Sequence, residues 1–182
     1  MIRFATRAAL CLAAAWMFAM PAQAQPLRIV AVGASNTSGF YLGEDDAYPA
    51  QLEKLLIETG INAEVINAGE VFDTTAGMLR RIDRDVPPGT HIVILQPGAN
   101  DLRFFGSNQQ RTANIVEMER RLRTRNIAVI VYDDEIPLRY YTWDFIHLTR
   151  EGHAMIAAAL VPRILALIGR PRPASGVRPQ TP

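Results

Sequence analysis

Ser35 follows the dipeptide Gly33-Ala34, Asp144 precedes His147 by three residues, and Asn100 stands in the run Gly98-Ala99-Asn100-Asp101. A serine hydroxyl is a weak nucleophile until a base takes its proton, and that base works best when a carboxylate fixes its tautomer. An aspartate three residues before a histidine, on a loop leading into a helix, can reach Nδ1 and leave Nε2 facing Ser35. Attack on a carbonyl also calls for donors aimed at the oxyanion, each worth roughly 2.7 to 4 kcal/mol of barrier. The Asn100 side-chain amide and the Ser35 backbone N–H are the candidates. Each residue alone has a plainer reading: Ser35 as a turn or cap residue, Asp144 as a loop residue, His147 as a satisfied structural histidine. Asp144, His147 and His153 can also be read as metal ligands, a reading that leaves the serine and asparagine loops unexplained. His91 and His153 otherwise read as structural, and Asp101 as a residue that holds its loop.

Short β-branched runs alternate with segments of helical period from Leu27 onward, the pattern of a parallel sheet covered by helices. Strands are expected at 27 to 33, 63 to 69, 91 to 98 and 127 to 133. Helices are expected from Tyr48 to a stop at Gly60, over 74 to 83, over 108 to 125, and from a Thr149 cap to about Ile168. In open parallel sheets the loops at the carboxyl ends of strands form the ligand crevice. Ser35-Asn36, Asn67 through Asp73, and Gly98 through Asp101 each follow a strand, and Asp144 through His147 precede the last helix. The arginines at 120, 121, 123 and 125 spread around a solvated helix beside Glu117 and Glu119, so they are not read as an anion site.

GASNTSG at 33 to 39, NAGEVFDTTAG at 67 to 77, GAND at 98 to 101 and DFIH at 144 to 147 occur in order along the chain. Together they resemble the four sequence blocks of the SGNH hydrolases, the GDSL esterases and lipases, and in particular their bacterial exported thioesterase and lysophospholipase branch. The resemblance runs from about Leu27 to Leu167. It implies a flavodoxin-like three-layer α/β/α sandwich with a parallel sheet of about five strands. It also implies Ser35 as nucleophile, His147 as base, Asp144 as its orienting acid and Asn100 as an oxyanion donor. Two positions depart from the family. Ala34 replaces the usual aspartate, and alignment on Asp73-Thr74 puts Phe72 where the family has the glycine whose backbone N–H serves the oxyanion hole. Any residue except proline keeps that N–H, so Phe72 can still donate if its backbone conformation is tolerated; Gly69 is the alternative donor. The aromatic-rich stretch 136 to 146, with Phe72 and Phe104-Phe105, can either line an acyl or aryl pocket or serve as ordinary packing.

The chain has 182 residues with 19 basic, 18 acidic and one cysteine, the size of one globular domain. Arg3 and Arg7 precede an apolar run from Ala8 to Met20, then Pro21 and Ala22-Gln23-Ala24, the pattern of a signal peptide over 1–24 cut after Ala24. That run is shorter than the ~20 residues of a membrane span. Cleavage removes Cys11 and leaves a domain from Gln25 without cysteine, which excludes disulfides, a thiolate nucleophile, thiolate zinc sites and iron–sulfur clusters. Two arginines belong to this leader and three to a Pro- and Arg-rich tail over 169–182, expected to be disordered, so the domain over 25–168 carries 14 basic against 18 acidic residues. A nucleic-acid surface is excluded on that balance. The expectation is an exported, periplasmic or secreted, monomeric serine esterase without metal or cofactor and without stable membrane insertion. Its substrate would be a small-molecule, lipid or carbohydrate ester. The rival, motivated by Ala34 and Phe72, is a catalytically idle module of the same fold that binds envelope carbohydrate or lipid.

Overall fold

The computed structural model describes residues 25–103 and 106–169. The leader expected over 1–24, Phe104-Phe105 and the tail from 170 lie outside the described residues. The elements run β1 (Leu27–Gly33), α1 (Ser35–Ser38), α2 (Tyr48–Glu58), β2 (Ala63–Gly69), α3 (Thr75–Asp85), β3 (Ile92–Gln96), α4 (Asn100–Arg103), α5 (Asn108–Thr124), β4 (Ala128–Val131) and α6 (Arg150–Ile168). Two 3₁₀ turns, Glu44–Asp46 and Leu138–Tyr140, break the loops.

The four strands pair in parallel in the order β2-β1-β3-β4. Successive residues of a strand face opposite sides, so an unbroken apolar run fits a sheet covered on both. Ile29 and Ala31 of β1 accordingly pack with Leu52 and Leu56 of α2 and Ile156, Leu160 and Ile164 of α6. Val30 and Val32 pack on the other side with Met78 and Ile82 of α3 and Met118 and Leu122 of α5. Each such buried aliphatic side chain contributes on the order of 1.5–3 kcal/mol. Helix α6 is long and apolar enough to cross a membrane by length and composition, and here its apolar side is taken up by the first of these layers. The layers are helix, sheet, helix: the three-layer sandwich.

One expectation needs correction. About five strands were implied by the resemblance, and among the described residues there are four. After β4 the chain enters Asp133-Asp134-Glu135 and Pro137, which offer neither apolar alternation nor an uninterrupted row of donors. It then closes on itself through a single antiparallel bridge between Tyr141 and Leu148 and passes directly into α6. Other boundaries move by a few residues: β3 stops at Gln96, ahead of Gly98 with φ 62°, and Thr74 caps α3 from outside by accepting the Gly77 N–H at 3.2 Å.

The chain leaves β1 toward β2 on one side and leaves β3 toward β4 on the other. The carboxyl ends of β1 and β3 therefore flank the point where the winding reverses, the place where open α/β sheets bind ligands. Two glycines let α1 settle there. A Cβ on Gly33 would lie 1.9 Å from Thr37 Oγ1, and one on Gly69 would lie 2.2 Å from the Ser38 nitrogen.

Candidate active site

Ser35 opens α1 immediately beyond β1 and is 8% exposed. The helix is held down by Thr37, fully buried, whose hydroxyl donates to Gln96 Oε1 at 2.6 Å on the end of β3. The Ser35 carbonyl accepts the backbone N–H of Gly39 and of Phe40 and the Ser38 hydroxyl, which fastens the turn leaving α1.

Asp144 and His147 meet on the loop before α6. Asp144 Oδ2 lies 2.5 Å from His147 Nδ1, and Oδ1 accepts the Thr142 hydroxyl at 2.8 Å and the backbone N–H of Ile146 and of His147 at 2.9 Å. Burial alone would push the Asp144 carboxyl up. The His147 backbone N–H, the imidazole, the Ile146 N–H and the Thr142 hydroxyl outweigh it and hold the group well below the usual carboxylate range. An ionised Asp144 makes Nδ1 the protonated ring nitrogen, so Nε2 presents a lone pair. The imidazole lies against the segment that follows Ser35: ring centroids are 4.7 Å from Phe40 and 5.1 Å from Tyr41. Asn36 reaches the same loop, donating to the Ile146 carbonyl and accepting the Leu148 N–H, both at 3.0 Å. The imidazole is held through its Nδ1 by Asp144, and a serine–histidine contact at such a site often tightens only with substrate bound.

Asn100 begins α4 beyond β3, and one amide hydrogen of its Nδ2 goes to the Asp73 carbonyl at 2.8 Å. The second amide hydrogen of such a group remains to be aimed elsewhere. Asp101 beside it is buried and accepts the Thr75 N–H at 3.0 Å and the Thr75 hydroxyl at 2.5 Å, while Asn114 Nδ2 donates to that hydroxyl at 2.9 Å. Asp101 thus ties α4 to the start of α3. Phe72 has φ 65°, the left-handed region that favours glycine, and is 70% exposed. The loop keeps the backbone that a glycine would adopt and carries a phenylalanine on it. Gly69, the alternative, gives its N–H to Asn67 Oδ1 at 3.0 Å.

Arg81 is a residue that the motifs did not announce. It is 6% exposed and donates to Gly33 O at 2.9 Å, Ala68 O at 2.8 Å, Asp73 Oδ2 at 2.8 Å and Asp85 Oδ2 at 2.5 Å. It therefore joins the ends of β1 and β2 to the loop that carries Phe72. Its only trace in the sequence is the four-residue spacing to Asp85.

A crevice of about 360 Å³ adjoins Ser35 and Asn100, with Gln96, Arg103, Arg111 and Tyr132 among its polar walls. Ile136, Tyr141, Phe145 and Ile146 of the aromatic-rich stretch line it, whereas Trp143 and Leu138 stand exposed at 81% and 68%, and Phe72 is not among the lining residues. Arg111 braces the wall by pairing with Asp133 at 2.6 Å and donating to the Gly98 carbonyl at 3.1 Å.

The remaining histidines sit elsewhere. His153 is fully buried with Nδ1 accepting the Tyr48 N–H at 3.0 Å, and His91 Nδ1 accepts the Arg28 N–H at 3.0 Å. Among the described residues no three His, Cys, Asp or Glu side chains gather in a metal-holding group, Asp144, His147 and His153 included. The arginines at 120, 121 and 123 pair with Glu117 and Glu119 on the outer side of α5.

A family model described as the GDSL-like Lipase/Acylhydrolase family matches residues 31–160. Esterase TesA of Pseudomonas aeruginosa is 27% identical over 153 residues, 81% of this chain and 75% of that protein. An arylesterase of Vibrio mimicus is 27% identical over 115 residues, 62% of this chain and 57% of that protein. Among solved structures, AlinE4, an SGNH-hydrolase family esterase, is 30% identical with a TM-score of 0.58, covering 86% of this chain and 87% of that one. The esterase EstA from Pseudoalteromonas sp., inhibited by monoethylphosphonate, shares the fold at a TM-score of 0.69 and 14% identity, covering 79% of this chain and all of that one.

Proposed function

The chain belongs to the GDSL-like lipase/acylhydrolase family and is an ester hydrolase, and on that premise we propose that it works by a Ser-His-Asp acyl-enzyme mechanism with Ser35, His147 and Asp144. Ser35 Oγ attacks the ester carbonyl carbon while its proton passes to His147 Nε2. Asp144 Oδ2 keeps Nδ1 protonated and stabilises the imidazolium that forms. Asn100 Nδ2 and the backbone N–H groups of Ser35 and Phe72 receive the oxyanion. The alcohol leaves with the proton from His147; water then attacks the acyl-serine as it gives a proton to the same nitrogen, and His147 returns that proton to Ser35 Oγ as the acid is freed.

The observation that carries this reading is the Asp144–His147 pair resting against the segment that begins at Ser35, a segment that lines one crevice with Asn100. No step calls for a metal or cofactor. The substrate is a small-molecule, lipid or carbohydrate ester. The protein acts as a monomer, outside the cytoplasm, after cleavage of the leader at Ala24. The departure at Ala34 leaves the serine chemistry intact.

The test compares wild type with Ser35→Ala and His147→Ala on p-nitrophenyl acetate and butyrate, with a fluorophosphonate probe to label the nucleophile. Turnover and labelling at Ser35 in wild type, both lost in Ser35→Ala, are expected. Turnover unchanged in Ser35→Ala would overturn the assignment. Export is tested separately by the amino terminus of the processed protein, expected at Gln25.

A further inference from the structure

We propose that Asn36 is a positioning residue that sets the catalytic histidine against the nucleophile, by holding the peptide groups on either side of His147 with its side-chain amide. The inference rests on the Ser-His-Asp reading above. Asn36 is the residue directly after Ser35, on the same four-residue helix α1. Its Nδ2 donates to the carbonyl of Ile146 and its Oδ1 accepts the N–H of Leu148, each at 3.0 Å, across 110 and 112 residues of sequence. The two partners are a backbone acceptor and a backbone donor, so only one orientation of the amide satisfies both, and His147 is the residue between them.

The other bonds around His147 are made within its own loop. Thr142 N–H donates to the His147 carbonyl at 2.7 Å, Asp144 Oδ1 gathers the N–H groups of Ile146 and His147, and Tyr141 bridges Leu148. They give the loop its shape without locating it relative to Ser35. The Asn36 amide supplies that link. The rings of Phe40 and Tyr41, a turn further along, press on the imidazole itself. Tyr41 does so from a left-handed backbone with φ 73°, a conformation that persists only where surrounding structure enforces it. The platform beneath is stiff, because Thr37 is buried on Gln96 and the backbone of α1 lies in van der Waals contact with Gly69. One short segment therefore carries the nucleophile and fixes the base. Geometry at this level matters, since a misplacement of about 1 Å lowers rates on the order of 100-fold.

Two variants test this. Asn36→Leu keeps a similar size and leaves the Ile146 carbonyl and Leu148 N–H without the amide. Asn36→Asp keeps the shape, but an ionised carboxylate opposes the Ile146 carbonyl until it is protonated. With p-nitrophenyl acetate, Asn36→Leu is expected to lose about 10- to 100-fold in kcat with KM within about twofold, and to lose the same factor in the rate of fluorophosphonate labelling at Ser35. A merely structural residue would lower the Tm without moving the labelling rate of the protein still folded. Asn36→Asp is expected to regain activity relative to wild type as pH falls through the range where its carboxyl protonates. If wild type is labelled at Ser35 and Asn36→Leu is labelled at the same rate, the inference is overturned and the mechanism stands. If Asn36→Leu does not fold, the absence of any pH-dependent recovery in Asn36→Asp overturns it. A wild type that turns over ester without reaction at Ser35 overturns the mechanism and this inference with it.

Discussion

Asp144 holds His147 twice, through Oδ2 at 2.5 Å from the ring nitrogen Nδ1 and through Oδ1 at 2.9 Å from the backbone nitrogen of the same residue. One carboxylate thus decides both the tautomer of the imidazole and the direction in which its chain leaves the loop. Asp144→Asn preserves the shape and presents an N–H to Nδ1, which drives the ring proton to Nε2 and removes the lone pair that the proposed mechanism offers to Ser35. The expected loss in kcat is on the order of 10³- to 10⁴-fold. Steady-state kinetics on p-nitrophenyl acetate check it, and a loss under tenfold would sink the role. Because the native carboxyl titrates well below its ordinary range, its stabilising contribution is present above about pH 4 and is lost as pH falls from there toward the native value.

Phe72→Gly tests whether the loop after β2 needs its backbone or its ring. The left-handed φ of 65° costs a phenylalanine about 1–2 kcal/mol that glycine does not bear. Glycine loses about 0.5–1 kcal/mol more than alanine through chain entropy, so the Tm should change little. Activity on p-nitrophenyl acetate should stay within about twofold of wild type, since the N–H is retained. A much larger fall would mean that the ring itself contacts the reacting ester.

Arg81→Met should destabilise the fold by about 3–5 kcal/mol, because it removes the buried guanidinium from the largely buried Asp73 and Asp85 carboxylates, leaving Asp73 the Thr74 N–H and Asp85 the exposed Arg84, and takes a donor from two strand-end carbonyls. Urea denaturation at neutral pH measures the change. A shift below about 1 kcal/mol would show that the Arg81 cluster is replaceable by apolar packing.

His153 gives the folded state an acid limit of its own. Burial pushes its imidazole down to about 4, against an ordinary value near 6.5, so the unfolded chain takes up the proton first. Stability from this residue is complete above about pH 6.5 and is lost as pH falls through 4. His153→Asn keeps an acceptor, Oδ1 in the place of Nδ1, for the Tyr48 N–H and cannot titrate. Unfolding free energies from urea titrations between pH 7 and 4 should fall less steeply in the variant, by up to about 1.4 kcal/mol per pH unit. Parallel curves for the two proteins would refute the assignment.

The strands were readable because LRIVAVG and its counterparts are unbroken β-branched runs, and the last helix because Thr149 caps it and its apolar side chains recur at helical spacing. The four polar loops were readable as one site because a parallel sheet brings the carboxyl ends of its strands to one edge. Helix α1 was not readable: four residues give no period, and SNTS has the composition of a turn. The positive φ of Phe72, Tyr41 and Phe145 was equally hidden, since bulky residues in that region are imposed by tertiary structure against local preference. Arg81 lies on a polar helix whose composition does not set it apart from Arg80 and Arg84, and only the packed fold shows it buried. The resemblance implies about five strands and the described residues hold four, the same four that the β-branched runs mark; beyond them Asp133-Asp134-Glu135 and Pro137 offer no further strand pattern.

Asn36 and Leu148, the two ends of one hydrogen bond, are made 112 residues apart. During synthesis Ser35 therefore emerges long before His147, its proposed base, and the intervening chain holds β2, β3 and β4. Helix α6, which follows the histidine, supplies Ile156, Leu160 and Ile164 to the core on one side of the sheet. Catalytic competence is consequently among the last properties the nascent chain acquires, and it reports completion of the whole domain rather than of any part.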